Sequence, residues 1–232
     1  MVGFCYLSGK NTMRMQPDAI VDLHYLPCIH FFAHLTHVSN VWVEVQNTYE
    51  KQTCCNRCYV LGANQVQRLS IPVVKPTAGQ PYATVRIDYR ERWQNNHWRT
   101  IASAYGKAPY FEHYADALRQ IIYAGEEYLA TFNLRLLTTC LGFLNLPVNI
   151  STTSVYSACY NSHVTDLRGQ ISCTPVLQTD KPAYVQLFGQ DFVYNLSILD
   201  LLFAEGPQSI LYLQKVMAIS HKQISSDLGF SL

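Results

Sequence analysis

Charged side chains are scarce in this sequence, and neither sign of charge is in excess. Lys, Arg, Asp and Glu make up only 14% of the 232 residues, and the formal net charge is +1. Soluble chains usually carry about 25% of such residues. A chain without a basic excess has little with which to neutralise phosphates, so the composition argues against a nucleic-acid-binding protein. The same balance excludes an acidic disordered tail.

Several other signals are missing. No apolar run approaches the roughly 18 residues of a membrane-spanning helix. The first ten residues, MVGFCYLSGK, carry their lysine after the apolar stretch, which is the reverse of a secretory signal peptide. The eight cysteines are irregularly spaced, and we interpret them as reduced thiols of a cytoplasmic protein. The P-loop, the dinucleotide-binding glycine motif and the G-x-S-x-G elbow are all absent from the sequence.

Hydrophobic periodicity predicts an α/β protein. Apolar and β-branched runs predict strands at 19–23, 41–45, 68–74, 83–89 and 184–188. Helical spacing predicts helices at 28–38, 97–105, 109–124, 126–144, 197–203 and 209–219. The remaining long segments are interpreted as a loop at 46–66 and short apolar pieces at 148–182. Because strands mostly precede helices, we expect a single layered domain at 19–232, with a mixed sheet flanked by helices, after a loose segment at 1–18.

Three histidines form the first candidate site. His30, His34 and His37 would share one face of a predicted helix, where they could bind Zn²⁺ with Asp22 or His24 completing the shell. The alternative is a polar helix face, and we favour it because histidines at such spacings are a weak form of a ligand motif. We therefore predict no metal.

A C-x-x-C motif, Cys55 to Cys58, adjoins Cys54. A zinc site would need two more ligands, and the sequence contains no second C-x-x-C. A redox dithiol normally opens a helix beside a strand, and that context is not evident here. We interpret these residues as ordinary reduced cysteines of a loop.

Two further segments contain polar residues that a core alone does not explain. Ser197 can cap a helix, and Asp200, three residues later, can complete a capping box with it. This arrangement does not explain Asn195, which is therefore a site candidate. Residues 93–111 combine aromatic side chains with His and Arg, which suits either a sugar- or anion-binding pocket or a helix–sheet core.

Both segments resemble the WbqC-like family. Residues 104–111, AYGKAPYF, resemble its Y-x-x-A-P-Y-F motif, and 192–207, FVYNLSILDLLFAEGP, resemble F-x-x-N-L-S-I-L-D-L-L-F-x-x-G-P. Shorter matching pieces follow the same order, and the resemblance covers about residues 19–215. These pieces are Pro27, Asn56-Arg57, Leu69 to Val73, His97, Asp166-Leu167-Arg168 and Tyr184-Val185-Gln186.

The resemblance implies a bacterial protein of surface-polysaccharide biosynthesis, of the O-antigen type. We expect an enzyme that transfers a group to a nucleotide-linked sugar or its precursor. The alternative is a noncatalytic binding partner of such enzymes. The resemblance leaves the reaction and any cofactor open. We expect a small-molecule or sugar-nucleotide substrate and no nucleic acid, and the low charge fraction favours a homo-oligomer.

We predict that the matching residues form one pocket. Its expected catalytic residues are His97 as general base, with Asn195 and Asp200. Its expected substrate-binding residues are Asn56, Arg57, Tyr105, Tyr110 and Ser197. In this set Arg57 would hold a phosphate or carboxylate by its planar fork.

Overall fold

A four-stranded parallel sheet lies at the centre of the protein. The computed structural model describes residues 18–177 and 182–227, so the loose segment expected at 1–18 lies almost wholly outside the described residues. Its strands, numbered in chain order with those of the rest of the protein, are β1 (Ala19–Asp22), β2 (Asn40–Glu44), β5 (Asn149–Thr152) and β6 (Thr165–Asp166). They lie in the order β5-β2-β1-β6.

The first β-α-β unit sets the parallel pairing. Strand β1 is buried along its apolar residues, as expected of a parallel strand with elements on both faces. Helix α1 (Ile29–Leu35) buries five of its seven residues and returns the chain to β2, which pairs with β1 from Ala19↔Val41 to Asp22↔Glu44. As a result, the carboxyl ends of β1 and β2 lie side by side.

A long excursion separates β2 from β5. It contains the antiparallel hairpin β3 (Arg57–Leu61) and β4 (Val66–Ser70), a short 3₁₀ turn at Tyr82–Thr84, and three helices. These helices are α2 (Trp93–Tyr105), α3 (Phe111–Ile122) and α4 (Leu129–Phe143). Their apolar faces join the same hydrophobic core as β1 and α1.

The last described part adds a short pair and two helices. Strands β7 (Val176–Leu177) and β8 (Val193–Tyr194) pair antiparallel. Helix α5 (Ile198–Glu205) is buried on nearly every side, and α6 (Ser209–Asp227) packs against it and against α1. None of the helices in the described ranges combines the length and apolar composition that crossing a membrane requires.

The expected α/β class is confirmed, since a parallel sheet with antiparallel additions is flanked by helices. All six predicted helices are present with shifted ends. Helix α1 ends at Leu35 rather than at residue 38, and α2 begins at Trp93 rather than at residue 97.

One loop prediction and two strand predictions were wrong. The loop expected at 46–66 contains β3. Its partner β4 is the strand expected at 68–74, with shifted ends, since it starts at Val66 and ends at Ser70, two residues before Pro72. The strand expected at 83–89 begins with the 3₁₀ turn and then makes only isolated bridges. Residues 184–188 form no strand, because the Gln186 side chain itself pairs with both backbone groups of Val193, at 2.9 Å each.

Candidate functional site

Polar side chains converge where the parallel strands end. Asp22 ends β1, Glu44 ends β2 and Asp166 ends β6. In open parallel sheets this carboxyl edge is the usual place for a ligand. A cavity of about 540 Å³ opens here, and we call it the acidic crevice. Its charged and histidine lining consists of Asp22, His24, Glu44, Glu50, Asp166 and Arg168.

Arg168 ties the strand ends together. Its Nε and Nη2 donate to the two oxygens of Asp166 at 2.9 and 2.6 Å, and its Nη1 lies 3.4 Å from Glu44 Oε2. The guanidinium also lies over the rings of Tyr156 and Tyr160, 5.4 and 5.1 Å from their centres. The hydrogen bond from Arg168 lowers the pKa of Asp166, and the same pairing raises the pKa of the arginine. Its donors are thus committed to the protein, which leaves the crevice with an excess of negative charge.

Glu44 is a buried charge with complete partners. Its side chain is 0% exposed. Besides Arg168, it accepts hydrogen bonds from the Gln46 backbone N–H at 2.7 Å and from the Thr153 hydroxyl at 2.8 Å. A buried carboxylate requires such pairing, so Glu44 fixes β2 against the segment that follows β5.

Asp22 and His24 are the groups best placed to meet a ligand. Asp22 Oδ2 accepts from the Gly169 N–H at 2.6 Å, while its Oδ1 accepts no hydrogen bond from the described part of the chain. Burial raises the pKa of Asp22, with Glu44 and Asp166 adding to the rise against Gly169 and Arg168. Burial lowers the pKa of His24 to about 4, so this imidazole is neutral at pH 7. The pair offers a carboxylate with raised proton affinity beside a neutral hydrogen-bonding ring.

A disulfide closes one wall of the acidic crevice. Cys54, which lines the crevice, is bonded to Cys173, and this corrects the expectation of an entirely reduced set of cysteines. Sequence spacing could not indicate this pair, because 119 residues separate its members. The C-x-x-C residues Cys55 and Cys58 are free thiols whose pKa burial raises, to about 11 for Cys55. Disulfides are rare in the cytosol, and the cytoplasmic location stays a prediction.

A second cavity, of about 760 Å³, adjoins the first, and we call it the basic cleft. Its charged lining consists of Lys51, Arg68, Lys75, Arg90 and Glu91. Tyr49 lines both cavities, and the residues that follow it line one or the other. The two linings, of opposite charge, therefore meet at this segment of the chain.

Two of the predicted site residues, His97 and Asn56, line the basic cleft. His97 Nδ1 lies 2.9 Å from the Tyr25 hydroxyl and Nε2 lies 3.2 Å from the Ser70 carbonyl, and burial lowers its pKa to about 4. Asn56 Nδ2 donates to the Ile71 carbonyl at 3.0 Å, while its buried Oδ1 has no partner among the described residues. The neighbouring Arg57 donates to the Gln52 carbonyl at 3.2 Å.

Asp200 and Tyr105 lie in a buried polar network away from both cavities. Asp200 accepts hydrogen bonds from the Tyr184 hydroxyl and, at 2.9 Å, from Gln186 Nε2. Burial raises the pKa of Asp200 against these bonds. The Tyr105 hydroxyl accepts from the Leu61 N–H at 3.2 Å.

Three further predicted site residues make contacts between secondary-structure elements. They are Asn195, Ser197 and Tyr110. Asn195 has φ 64°, and its Oδ1 accepts from the His30 N–H at 3.1 Å near the start of α1. Ser197 caps α5 as expected, but its own N–H donates to a carbonyl of β3, so Asp200 does not complete a capping box. The ring of Tyr110 covers Gly206, where a Cβ would come within 2.4 Å of it. The catalytic and binding roles of these residues and of the five in the two preceding paragraphs stay predictions.

The three histidines do not share a helix face. His30 and His34 lie on α1 with ring centres 4.6 Å apart, whereas His37 lies in the turn after the helix ends. Within 18–177 and 182–227, no group of three or more His, Cys, Asp or Glu side chains is arranged to hold a metal ion. The expected lack of a metal stays a prediction.

The acidic crevice was not predicted from the sequence. Asp22 and His24 were considered only as possible ligands completing a zinc shell, and Asp166 and Arg168 only as part of the family resemblance. The available signal was position, because Asp22, Glu44 and Asp166 each end a strand, and parallel strands bring such residues to one edge.

The fold and the crevice define an open α/β domain with a cavity at the carboxyl edge of its parallel sheet. The model of the WbqC-like protein family matches residues 23–179 and 170–212, and the chain belongs to this family. No curated protein and no solved structure gave a significant match to the chain.

Proposed function

We propose that this protein is an enzyme of bacterial surface-polysaccharide biosynthesis that transfers a group to a nucleotide-linked sugar or its precursor. The acidic crevice is the proposed place of transfer. Family membership and the resemblance of the two long motifs support the pathway. The observation that carries the chemistry is the carboxylate of Asp22, with one oxygen left open to the crevice and a pKa raised by burial.

Asp22 is the proposed general base. An acceptor hydroxyl or amine gives its proton to Asp22 Oδ1 as its lone pair forms a bond to the transferred group. The bond between that group and an activated donor, such as a thioester, breaks, and its electron pair leaves with the donor. A carboxylate whose pKa is raised toward neutrality is a better base for this step than an exposed one.

The remaining lining suits a sugar. Carboxylates accept hydrogen bonds from hydroxyl groups, and Tyr49, Tyr82 and Tyr156 supply aromatic walls. His24 contributes a neutral ring whose Nδ1 is buried without a partner in the described structure. Arg168 and Glu44 hold this lining in position, since they pair with each other and bond to nearby residues of the same chain.

A noncatalytic binding protein of the same pathway is the second candidate. The observation that favours it is the engagement of the expected catalytic groups in the fold. Both ring nitrogens of His97 lie within hydrogen-bond distance of protein groups, and Asp200 is enclosed by its partners.

A ligand screen separates the two candidates. Nucleotide sugars, acyl-CoA and ATP are tested by thermal shift, where a ligand at 100 times its Kd stabilises the fold by about 2.7 kcal/mol, or roughly 5–10 °C for a chain of this size. Mass spectrometry then follows turnover for each pair of ligands that shift the melting temperature. A shift with turnover supports the enzyme, and a shift without turnover for any pair supports the binding protein. If none of the compounds shifts the melting temperature, both candidates are contradicted.

A further inference from the structure

Unpartnered polar atoms are concentrated at the basic cleft. In the part of the chain that the structure describes, seven buried side-chain N or O atoms have no hydrogen-bond partner. Four of them belong to residues that line this cleft. These residues are Tyr49, Asn56, Ser70 and Trp93. Buried polar groups in folded proteins are normally paired, so this concentration indicates partners supplied from outside the chain.

The unpartnered donor of Trp93 specifies the kind of partner. Its side chain is nine-tenths buried or more, as is that of Tyr49. An indole Nε1–H can only donate, so its partner must be an acceptor. The Tyr49 and Ser70 hydroxyls can donate to the same ligand. Three of the four unpartnered groups can therefore donate to acceptor oxygens of a ligand, while the fourth, Asn56 Oδ1, can only accept, for example from a ligand hydroxyl.

The charge of the cleft specifies that ligand further. Lys51, Arg68 and Lys75 are exposed cations, and none of them forms an ion pair within the described residues. Arg90 is instead paired with Asp88. Three unpaired cations in one cleft are notable in a chain with 17 Lys and Arg in total and a net charge of +1. Such a lining attracts an anion with several charged oxygens.

We propose that the basic cleft binds the diphosphate of a nucleoside diphosphate ligand and thereby directs the attached sugar into the acidic crevice. The second half of this proposal rests on the proposed function. The shared lining segment supports this second half. Tyr49 lines both cavities, Lys51 lines the basic cleft and Glu50 lines the acidic crevice. The phosphates would then lie among the cations of the cleft and the sugar among the carboxylates of the crevice, which repel phosphate.

The test uses isothermal titration calorimetry on the full chain. The probes are uridine diphosphate, inorganic pyrophosphate and, as a probe without phosphate, uridine. The double variant Lys51→Gln/Arg68→Gln is compared with Arg99→Gln/Lys215→Gln, a control with the same loss of charge at exposed residues that line neither cavity. All four residues are exposed, so both variants are expected to fold, and their melting temperatures check this.

We expect each phosphate probe to bind the control variant as tightly as it binds the wild type. The cleft variant should bind them about tenfold more weakly, since each exposed cation contributes modestly to an ionic contact. Added salt should weaken binding to the wild type more than to the cleft variant. A separate Trp93→Phe variant removes the Nε1–H donor together with part of a buried ring, so its melting temperature is checked as well. It should bind both phosphate probes more weakly.

The proposal is overturned if neither phosphate probe binds the wild type, if uridine binds as tightly as uridine diphosphate, or if the cleft variant binds like the control. These results are separate from those that judge the proposed function. Diphosphate binding that depends on the cleft, without turnover of any sugar nucleotide, would support the cleft and contradict the enzyme. Turnover of a sugar nucleotide without such binding would support the enzyme and contradict the role of the cleft.

Discussion

Replacement of Arg168 by methionine should destabilise the protein strongly. Methionine keeps much of the apolar stem and removes the charge. Glu44, whose side chain is 0% exposed, would then keep its neutral partners but lose its cation. Breaking a buried ion pair from one side usually costs about 3–5 kcal/mol. Because the Arg168 side chain is 10% exposed and its contact with Glu44 is long, at 3.4 Å, we take the lower end, about 3 kcal/mol.

The chain contains a matched control for this substitution. Arg90 forms the same local pairing with Asp88 that Arg168 forms with Asp166, including the bond from its own backbone N–H. The Arg90 side chain is 87% exposed and has no buried second carboxylate to satisfy. Asp88 is only 12% exposed but keeps the hydrogen bond from the backbone N–H of residue 90, so Arg90→Met should lower the free energy of unfolding clearly less than Arg168→Met.

Urea unfolding followed by circular dichroism measures both variants. A loss of about 3 kcal/mol corresponds to a midpoint roughly 1–1.5 M lower in urea for a chain of this size. Adding Glu44→Gln to Arg168→Met removes the uncompensated charge, and the double variant should recover part of the loss. Equal stability of Arg168→Met and Arg90→Met, or no recovery in the double variant, would refute the reasoning that burial of Glu44 makes Arg168 necessary.

Two further predictions concern pH and the disulfide. Burial lowers the pKa of His24 and His97 to about 4, below the value near 6.5 of an exposed imidazole, so the unfolded chain binds protons first as the pH falls. The histidine contribution to stability should be fully present above pH 6.5 and fall by about 3 kcal/mol per histidine toward pH 4, and His97→Gln should remove its share of this fall in urea titrations at several pH values. An unchanged pH profile in that variant would contradict the assignment. For the disulfide, Cys54→Ser/Cys173→Ser should lower the melting temperature by roughly 6–12 °C, or about 3 kcal/mol, in calorimetry. The variant should also lose the wild type's sensitivity to a reductant, and a wild type that melts equally with and without reductant would show that the bond is not formed.

Local patterns predicted the parts of the fold that depend on burial. The apolar run of β1 and the helical spacing of α4 identify their elements because each buries a continuous face. The segment 184–188 shows where this logic stops. Its residues suit a strand, but the Gln186 side chain takes the hydrogen bonds of Val193 that a strand backbone would otherwise take.

The acidic crevice could not be assembled from local patterns. Two D-x-R segments, 88–90 and 166–168, have the same local geometry, yet only the second lies at a strand end beside a buried glutamate. The difference depends on the register that places β6 beside β1 and β1 beside β2. Such long-range pairing is a property of the whole topology, so single motifs did not indicate it.

The central claim is that Asp22 at the carboxyl edge of the sheet acts on the ligand. Its most direct test compares the transfer rate of Asp22→Asn with that of the wild type, for a donor and acceptor pair found in the ligand screen. Asparagine keeps an acceptor for the Gly169 N–H, and Asp116→Asn, on the exposed face of α3, is the matched control. We expect a rate at least about 100-fold lower for Asp22→Asn, with ligand affinity nearly unchanged and a control like the wild type. An Asp22→Asn variant that transfers the group at the wild-type rate would contradict the account.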